Sequence, residues 1–272
     1  MRAARDQQIN FLDDARYNDE TGTAPIPTGY SELLFGELFR SAGYRREQTI
    51  IANKLWWEFW PVQDAAQELD SSLSRMGFEY VDLIYANPPP EGLGVAELVA
   101  AVGDLLAAGK ARSWGIVNWE PGPFLEATKA AAEQGVPQPC AAQLPYSVVA
   151  REWVESPEMA TALEASGAGV VASFVMAGGV LTGKYDAGGG GRADRDIDAP
   201  RHKAARECGR RMRALAAELG TSPAALAVAF ALDYPSVASV LFGATSPEQI
   251  AENARALGLG SEVAQRVRGL CP

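Results

Sequence analysis

The chain has 272 residues, 47% hydrophobic and 21% charged, ordinary globular values that suffice for one large core. A formal net charge of −10 without any Lys/Arg run argues against a nucleic-acid surface, because phosphate backbones are held by clustered cations that release counterions. Cys140, Cys208 and Cys271, an odd count without CxxC spacing, point to a reduced chain lacking a disulfide framework or a zinc site. The charged opening MRAARDQQINFLDD reads as neither signal peptide nor membrane span, so the cytoplasm is the default compartment.

From Ile9 onward, short apolar runs alternate with amphipathic stretches, the pattern of βαβ units around a parallel sheet. Strands are expected at Ile9 to Asp13, Thr49 to Lys54, Val81 to Ala86, Arg112 to Val117, Cys140 to Leu144, Gly169 to Phe174 and Val237 to Phe242. Between them, Pro61 to Ala65 opens a helix that ends near Met76-Gly77, and Glu120-Pro121 opens another. Thr221-Ser222-Pro223 starts an Ala-rich helix running toward Asp233, and Ser246-Pro247-Glu248-Gln249 is a capping-box sequence with proline at the first helical position. Seven strands are one short of a ring of eight. The stretch before Ile9 is too short for a strand plus a helix, so the ring is open, is completed by another segment, or the sequence starts late.

In parallel barrels the chemistry sits at the C-terminal strand ends. The polar residues there are Asp13, Lys54, Asn87, Asn118 and Gln143: a carboxylate, an ammonium and three amides. Lys54 beside a phenol would lower its pKa and make it a usable proton donor to a carbonyl oxygen; Tyr17 is the candidate phenol and Asp13 would keep Lys54 charged. Trp56, Trp57, Phe59 and Trp60 follow Lys54 and suit either an apolar substrate wall or a core contact.

Ile9 to Tyr17 resembles the strand and loop that carry the aspartate and tyrosine of the aldo-keto reductases. Ala52-Asn53-Lys54 is similar to their lysine strand, Tyr80 to Asn87 to their histidine strand, and Leu181 to Tyr185 to the loop after strand seven. Gly243-Ala244-Thr245-Ser246 and Gln249-Ile250-Ala251-Glu252-Asn253 continue the match in family order. Tyr-Val-Asp…Ala-Asn-Pro and Gly-Lys-Tyr-Asp resemble the potassium channel beta subunit branch most. The resemblance implies an α/β fold of the (β/α)8 TIM-barrel type over residues 1–272 as one domain, lacking the first strand and N-terminal hairpin. It also implies NADP(H) as cofactor and a small-molecule carbonyl substrate, while the acidic charge and the lack of an apolar span point to no nucleic-acid or membrane partner. By position Tyr17 would be the proton donor, Asp13 and Lys54 its tuners, and Asn118 with Gln143 the carboxamide contacts.

Departures from the family pattern matter equally. Asn87 stands in the histidine position, and an amide donates a hydrogen bond without becoming a cation, so slow turnover is expected. One residue is missing between Asp13 and Tyr17. Ser173-Phe174-Val175-Met176 replaces an aromatic-Ser-Pro-Leu run, leaving Phe174 and Met176 as nicotinamide neighbours. The expected phosphate contacts are Gly178 with Lys184 and the helix headed by Ser246, with Gly243, Thr245, Gln249, Glu252 and Asn253 around an adenosine. Gly178 to Lys184 also spells G-x-x-x-x-G-K, but Tyr185 follows where a nucleotide loop needs Ser or Thr. The run Gly188 to Gly191 reads as a loop closing over cofactor or as a linker. Two further readings remain open: a regulatory or interaction protein that holds NADP(H) with little or no turnover, and a barrel fragment that binds nothing.

Overall fold

A computed structural model describes residues 1–19, 22–188, 193 and 197–271. Gly189, Gly190 and Gly191 of the glycine run lie outside the described residues. The strands are β1 (Phe11–Asp13), β2 (Ile50–Leu55), β3 (Val81–Ala86), β4 (Ala111–Val117), β5 (Ala141–Pro145), β6 (Gly169–Ser173) and β7 (Val237–Val240), close to their expected positions. The helices are α1 (Arg2–Asp6), α2 (Tyr30–Ala42), α3 (Ala65–Met76), α4 (Val95–Ala107), α5 (Pro121–Gln134), α6 (Glu152–Glu155), α7 (Pro157–Ser166), α8 (Lys203–Leu219), α9 (Pro223–Leu232), α10 (Pro247–Ala254) and α11 (Ser261–Leu270). All described strand pairings are parallel and follow chain order, the pattern of the (β/α)8 class with seven strands among the described residues.

The chain divides into two compact units, one of Met1–Gln143 with Glu158–Ala168 and one of Leu144–Pro157 with Gly169–Pro272. In the first, β1 to β4 each pair with the next strand, and β4 pairs with the start of β5; the registers include Asp13↔Ala52, Lys54↔Tyr85 and Val117↔Gln143. After Ile50 every residue of β2 is buried, as expected of a strand covered on both faces. Gly115 allows β4 and β5 to approach, since a Cβ there would sit 2.2 Å from the Ala141 carbonyl oxygen. Asp64 caps α3 in a reciprocal capping box with Gln67, so the opening expected from Pro61 begins as helix only at Ala65. Gly77, at φ 71°, closes α3 as its left-handed C-cap.

In the second unit β6 pairs with β7 through Val170↔Val237 and Ala172↔Val240, and the Tyr146 amide donates to the Ser173 carbonyl at 2.9 Å. Ala225 to Ala231 are all buried, so α9 has no solvent face. Its Phe230 stacks on Tyr146, whose hydroxyl donates to Glu155 and accepts from Arg268 of α11.

The cysteine expectation is corrected here. Cys208 of α8 and Cys271 after α11 form a disulfide with Cα atoms 5.6 Å apart, leaving Cys140 as the free thiol. The pairing was invisible because a separation of 63 residues leaves no local spacing to read, and the odd total hid the even pair. Among the described residues no His/Cys/Asp/Glu cluster suits a metal, and no single helix is long and apolar enough to cross a membrane.

Candidate active site

The first unit brings three expected residues together. Lys54 Nζ donates to Asp13 Oδ2 at 2.6 Å and to the Asp14 carbonyl oxygen at 3.3 Å, while Gln143 Nε2 donates to Asp13 Oδ1 at 3.3 Å. The Lys54 and Asp13 side chains are only 5% and 15% exposed, so the pair is a shielded, charge-assisted contact rather than a solvated surface bridge. Parallel pairing explains the convergence: Asp13 ends β1, Lys54 lies near the end of β2, and Gln143 lies on β5, with alternate residues of each strand sharing a face.

Two other expected residues have defined roles at strand ends. Asn87 follows β3; its backbone N–H and its Nδ2 both donate to the Leu55 carbonyl, at 3.1 and 3.0 Å. One hydrogen of its amide therefore remains for a ligand. The carbonyls of Ala86 and Asn87 are in turn held by the indoles of Trp119 and Trp57, at 2.9 and 3.1 Å. Asn118, exposed and at φ 57°, follows β4 and donates its N–H to the Gln143 carbonyl.

Tyr17 is 53% exposed and sets its ring edge-on against Trp56, centroids 5.9 Å apart. The aromatic ring next to the Lys54 ammonium is that of Tyr85, 5.8 Å from Nζ to centroid. Tyr85 is fully buried, and burial, followed by the Asp13 carboxylate, pushes its phenol far above the ordinary range. It stays neutral at any working pH.

Sequence reasoning missed the charged frame behind this rim. Buried Arg16 donates to Glu58 at 2.7 Å and lies over the Phe59 ring at 4.9 Å, and Asn18 donates to the other oxygen of Glu58. Glu68 of α3 accepts from the backbone N–H groups of Trp56 and Trp57 at 2.7 and 3.1 Å. Burial raises the Glu68 pKa despite those two donors. Of the aromatic run after Lys54, Trp57 is buried and forms a core contact, whereas Trp56 and Phe59 are exposed. Beneath Lys54, fully buried Glu32 accepts from Asn53 at 2.9 Å and Arg75 at 2.6 Å, and Asn53 accepts from the Lys54 backbone N–H at 2.6 Å.

Asp14 also escaped notice. Burial raises its pKa from 3.8 to about 7, outweighing the Ala15 amide that favours its charge; Glu32 and Asp13 push further up and Lys54 pulls down. Its Oδ2 is buried with no hydrogen-bond partner. The Asp-Asp doublet was the only available signal, and sequence does not reveal burial.

The second unit holds the remaining residues. Phe174, 56% exposed at φ 54°, follows β6, which ends at Ser173 rather than at Phe174 as the sequence predicts. Met176 follows it, half-buried, and Gly178 and Gly179 adopt φ of 68° and 91°. The Lys184 chain folds over Gly179, where a Cβ would meet its Cε at 2.9 Å, while the space at Gly178 is open. Tyr185 donates its hydroxyl to the Gly178 carbonyl at 3.2 Å, a tie unlike the helix start of a nucleotide loop. Past Gly243, where the space is also open, Ser246 caps α10 by accepting from the Gln249 N–H at 3.3 Å; the Gln249 side chain reaches back to the Thr245 N–H at 2.8 Å, one residue short of a regular capping box. On the same helix Glu252 is exposed and Asn253 buried.

Comparison with known proteins adds a family. The model of the aldo/keto reductase family matches residues 1–270. A probable voltage-gated potassium channel subunit beta of Oryza sativa subsp. japonica is 31% identical over 273 residues, covering 94% of this chain and 80% of that protein. One of Arabidopsis thaliana is 29% identical over 277 residues, with the same coverage. A putative voltage-gated potassium channel subunit beta of Schizosaccharomyces pombe is 27% identical over 275 residues, covering 94% of this chain and 77% of that protein.

Proposed function

The chain belongs to the aldo/keto reductase family, and from that premise we propose that it is an NADP(H)-dependent oxidoreductase that reduces aldehydes or ketones slowly. The observation that carries the reading is the shielded contact of Lys54 with Asp13, bridged to Gln143 at the strand ends. When bound, the nicotinamide supplies hydride to the carbonyl carbon. Tyr17, exposed at the rim, gives its proton to the carbonyl oxygen, and Lys54 with Asp13 fixes the electrostatic field in which that transfer occurs. Asn87 orients the same oxygen with its remaining amide hydrogen. Lacking a cationic form, it shares no proton, which makes the reaction slow.

Each unit, taken by itself, offers chemistry suited to part of such a nucleotide. In the first, Asn118 and Gln143 carry amides suited to a carboxamide; in the second, Phe174 and Met176 offer apolar side chains suited to a nicotinamide ring. Open space at Gly178 and the cation of Lys184 suit a pyrophosphate. The positive end of the α10 dipole suits a 2′-phosphate beside Ser246, with Gly243, Thr245, Gln249, Glu252 and Asn253 about the adenosine.

NADPH oxidation with a panel of aldehydes and ketones tests the proposal. Tyr17→Phe and Lys54→Met should each lose about 10²-fold or more in turnover while retaining fold; undiminished rates in both would end the proton-donor assignment. A second reading, a regulatory NADP(H)-binding protein with negligible turnover, is favoured by the Asn87 side chain being bonded to the Leu55 carbonyl and by the names of the similar proteins. Saturable quenching of NADPH fluorescence without turnover on any substrate would select it.

A further inference from the structure

Asp14 carries a feature that the proposed reaction does not use. Its main chain is tied into the site: the N–H donates to the Ala52 carbonyl at 3.0 Å and the carbonyl accepts from Lys54 Nζ at 3.3 Å. Its side-chain Oδ2, by contrast, is buried without a donor. An ionised oxygen in that position forfeits hydration and gains no hydrogen bond, whereas a protonated carboxyl avoids most of the penalty. The charged groups acting on it come from three elements: Asp13 on β1, Lys54 on β2 and Glu32 on α2, and the charge of Glu32 is already shared with Arg75.

We propose that the Asp14 carboxyl is a proton-controlled modulator of Lys54: protonated, it leaves the ammonium to Asp13, and deprotonated, it adds a second negative charge to the field around the same cation. Protonation follows the burial of the group, whose pKa stands at about 7, in the range where ambient pH sets its charge. Above neutrality the added negative charge draws on the Lys54 field that Asp13 otherwise uses alone. Asp14 is thus a positioning residue acting through Lys54. The inference concerns charges in the chain itself and stands whether or not the protein reduces carbonyls.

The test is a carbon-13 NMR titration of aspartate carboxyls in the full chain, without nucleotide or substrate, over about pH 5 to 9. The Asp14 resonance, assigned by its loss in Asp14→Asn, should titrate within about one unit of 7. The Asp13 resonance, assigned with Asp13→Asn, should show an inflection at the same midpoint that vanishes in Asp14→Asn. Melting supplies a second readout. Because the folded value exceeds the unfolded 3.8, stability is fully present below about pH 4 and is lost as pH rises through about 7. Wild type should therefore lose melting temperature between pH 5.5 and 8.5 relative to Asp14→Asn; if that variant does not fold, Asp14→Ser replaces it in both measurements. An Asp14 midpoint below about 5, an Asp13 curve without the inflection, or an inflection that survives in the variant would overturn the proposal.

Discussion

Glu68 shows how much of the rim depends on one side chain. Each of its oxygens holds a backbone N–H, from Trp56 and Trp57, and Trp57 in turn holds the Asn87 carbonyl through its indole. In Glu68→Gln one acceptor becomes a donor facing a buried N–H. The loss should be about 1–3 kcal/mol in urea unfolding, the range for an unsatisfied buried group. If Trp56 lines the substrate path, KM should rise more than kcat falls. At this scale the sequence was a partial guide. Asp13, Lys54 and Gln143 were readable because strand ends can be located from apolar runs. Glu68, Arg16 and Asp14 were not, since each is charged in sequence, and the burial of the first two and of the Asp14 Oδ2 follows only from the folded chain.

Elements were more legible than their ends. Val81 to Ala86 lies where its apolar run predicts, and the caps at Ser222 and Ser246 announce themselves by side-chain type, whereas the helix expected to open at Pro61 is capped by Asp64. Strand termini drift because tertiary geometry sets them: β6 stops at Ser173 as Phe174 turns left-handed, and the Leu241 N–H still bonds the Ala172 carbonyl beyond the end of β7. Gly115 was not singled out in the sequence, yet the β4 to β5 pairing relies on it. Gly115→Ala would bring a methyl within 2.2 Å of the Ala141 oxygen, a backbone atom with little freedom to retreat. A destabilisation of about 1–3 kcal/mol is expected from such overpacking, measurable as a lower denaturation midpoint.

At the scale of the whole molecule, chain order and charge could be read directly, whereas covalent closure could not. The Cys208–Cys271 bond joins α8 to the residue after α11, and Arg151 and Arg211 hold nearby carbonyls of the same end, those of Cys271 and Leu270. A thiol assay on the denatured, unreduced chain should count one group, from Cys140, rather than three. Cys208→Ala should destabilise the chain by about 2–4 kcal/mol under oxidising conditions, the usual contribution of a bridge, and leave its stability unresponsive to reductant. A count of three thiols would contradict the bridge.

Trp57, Asn118 and Phe174, which follow β2, β4 and β6, all adopt the left-handed backbone with side chains that disfavour it. Each conformation costs about 1–3 kcal/mol unless its surroundings compensate, and Asn is the best tolerated of the three types. Laboratory selection for heat resistance alone would accordingly favour Gly or Asn at Phe174, whose exposed ring contributes little burial. Selection for ligand affinity would favour retaining the ring. These exits are where durability and recognition compete, and a lineage's choice there would record which pressure it has lived under.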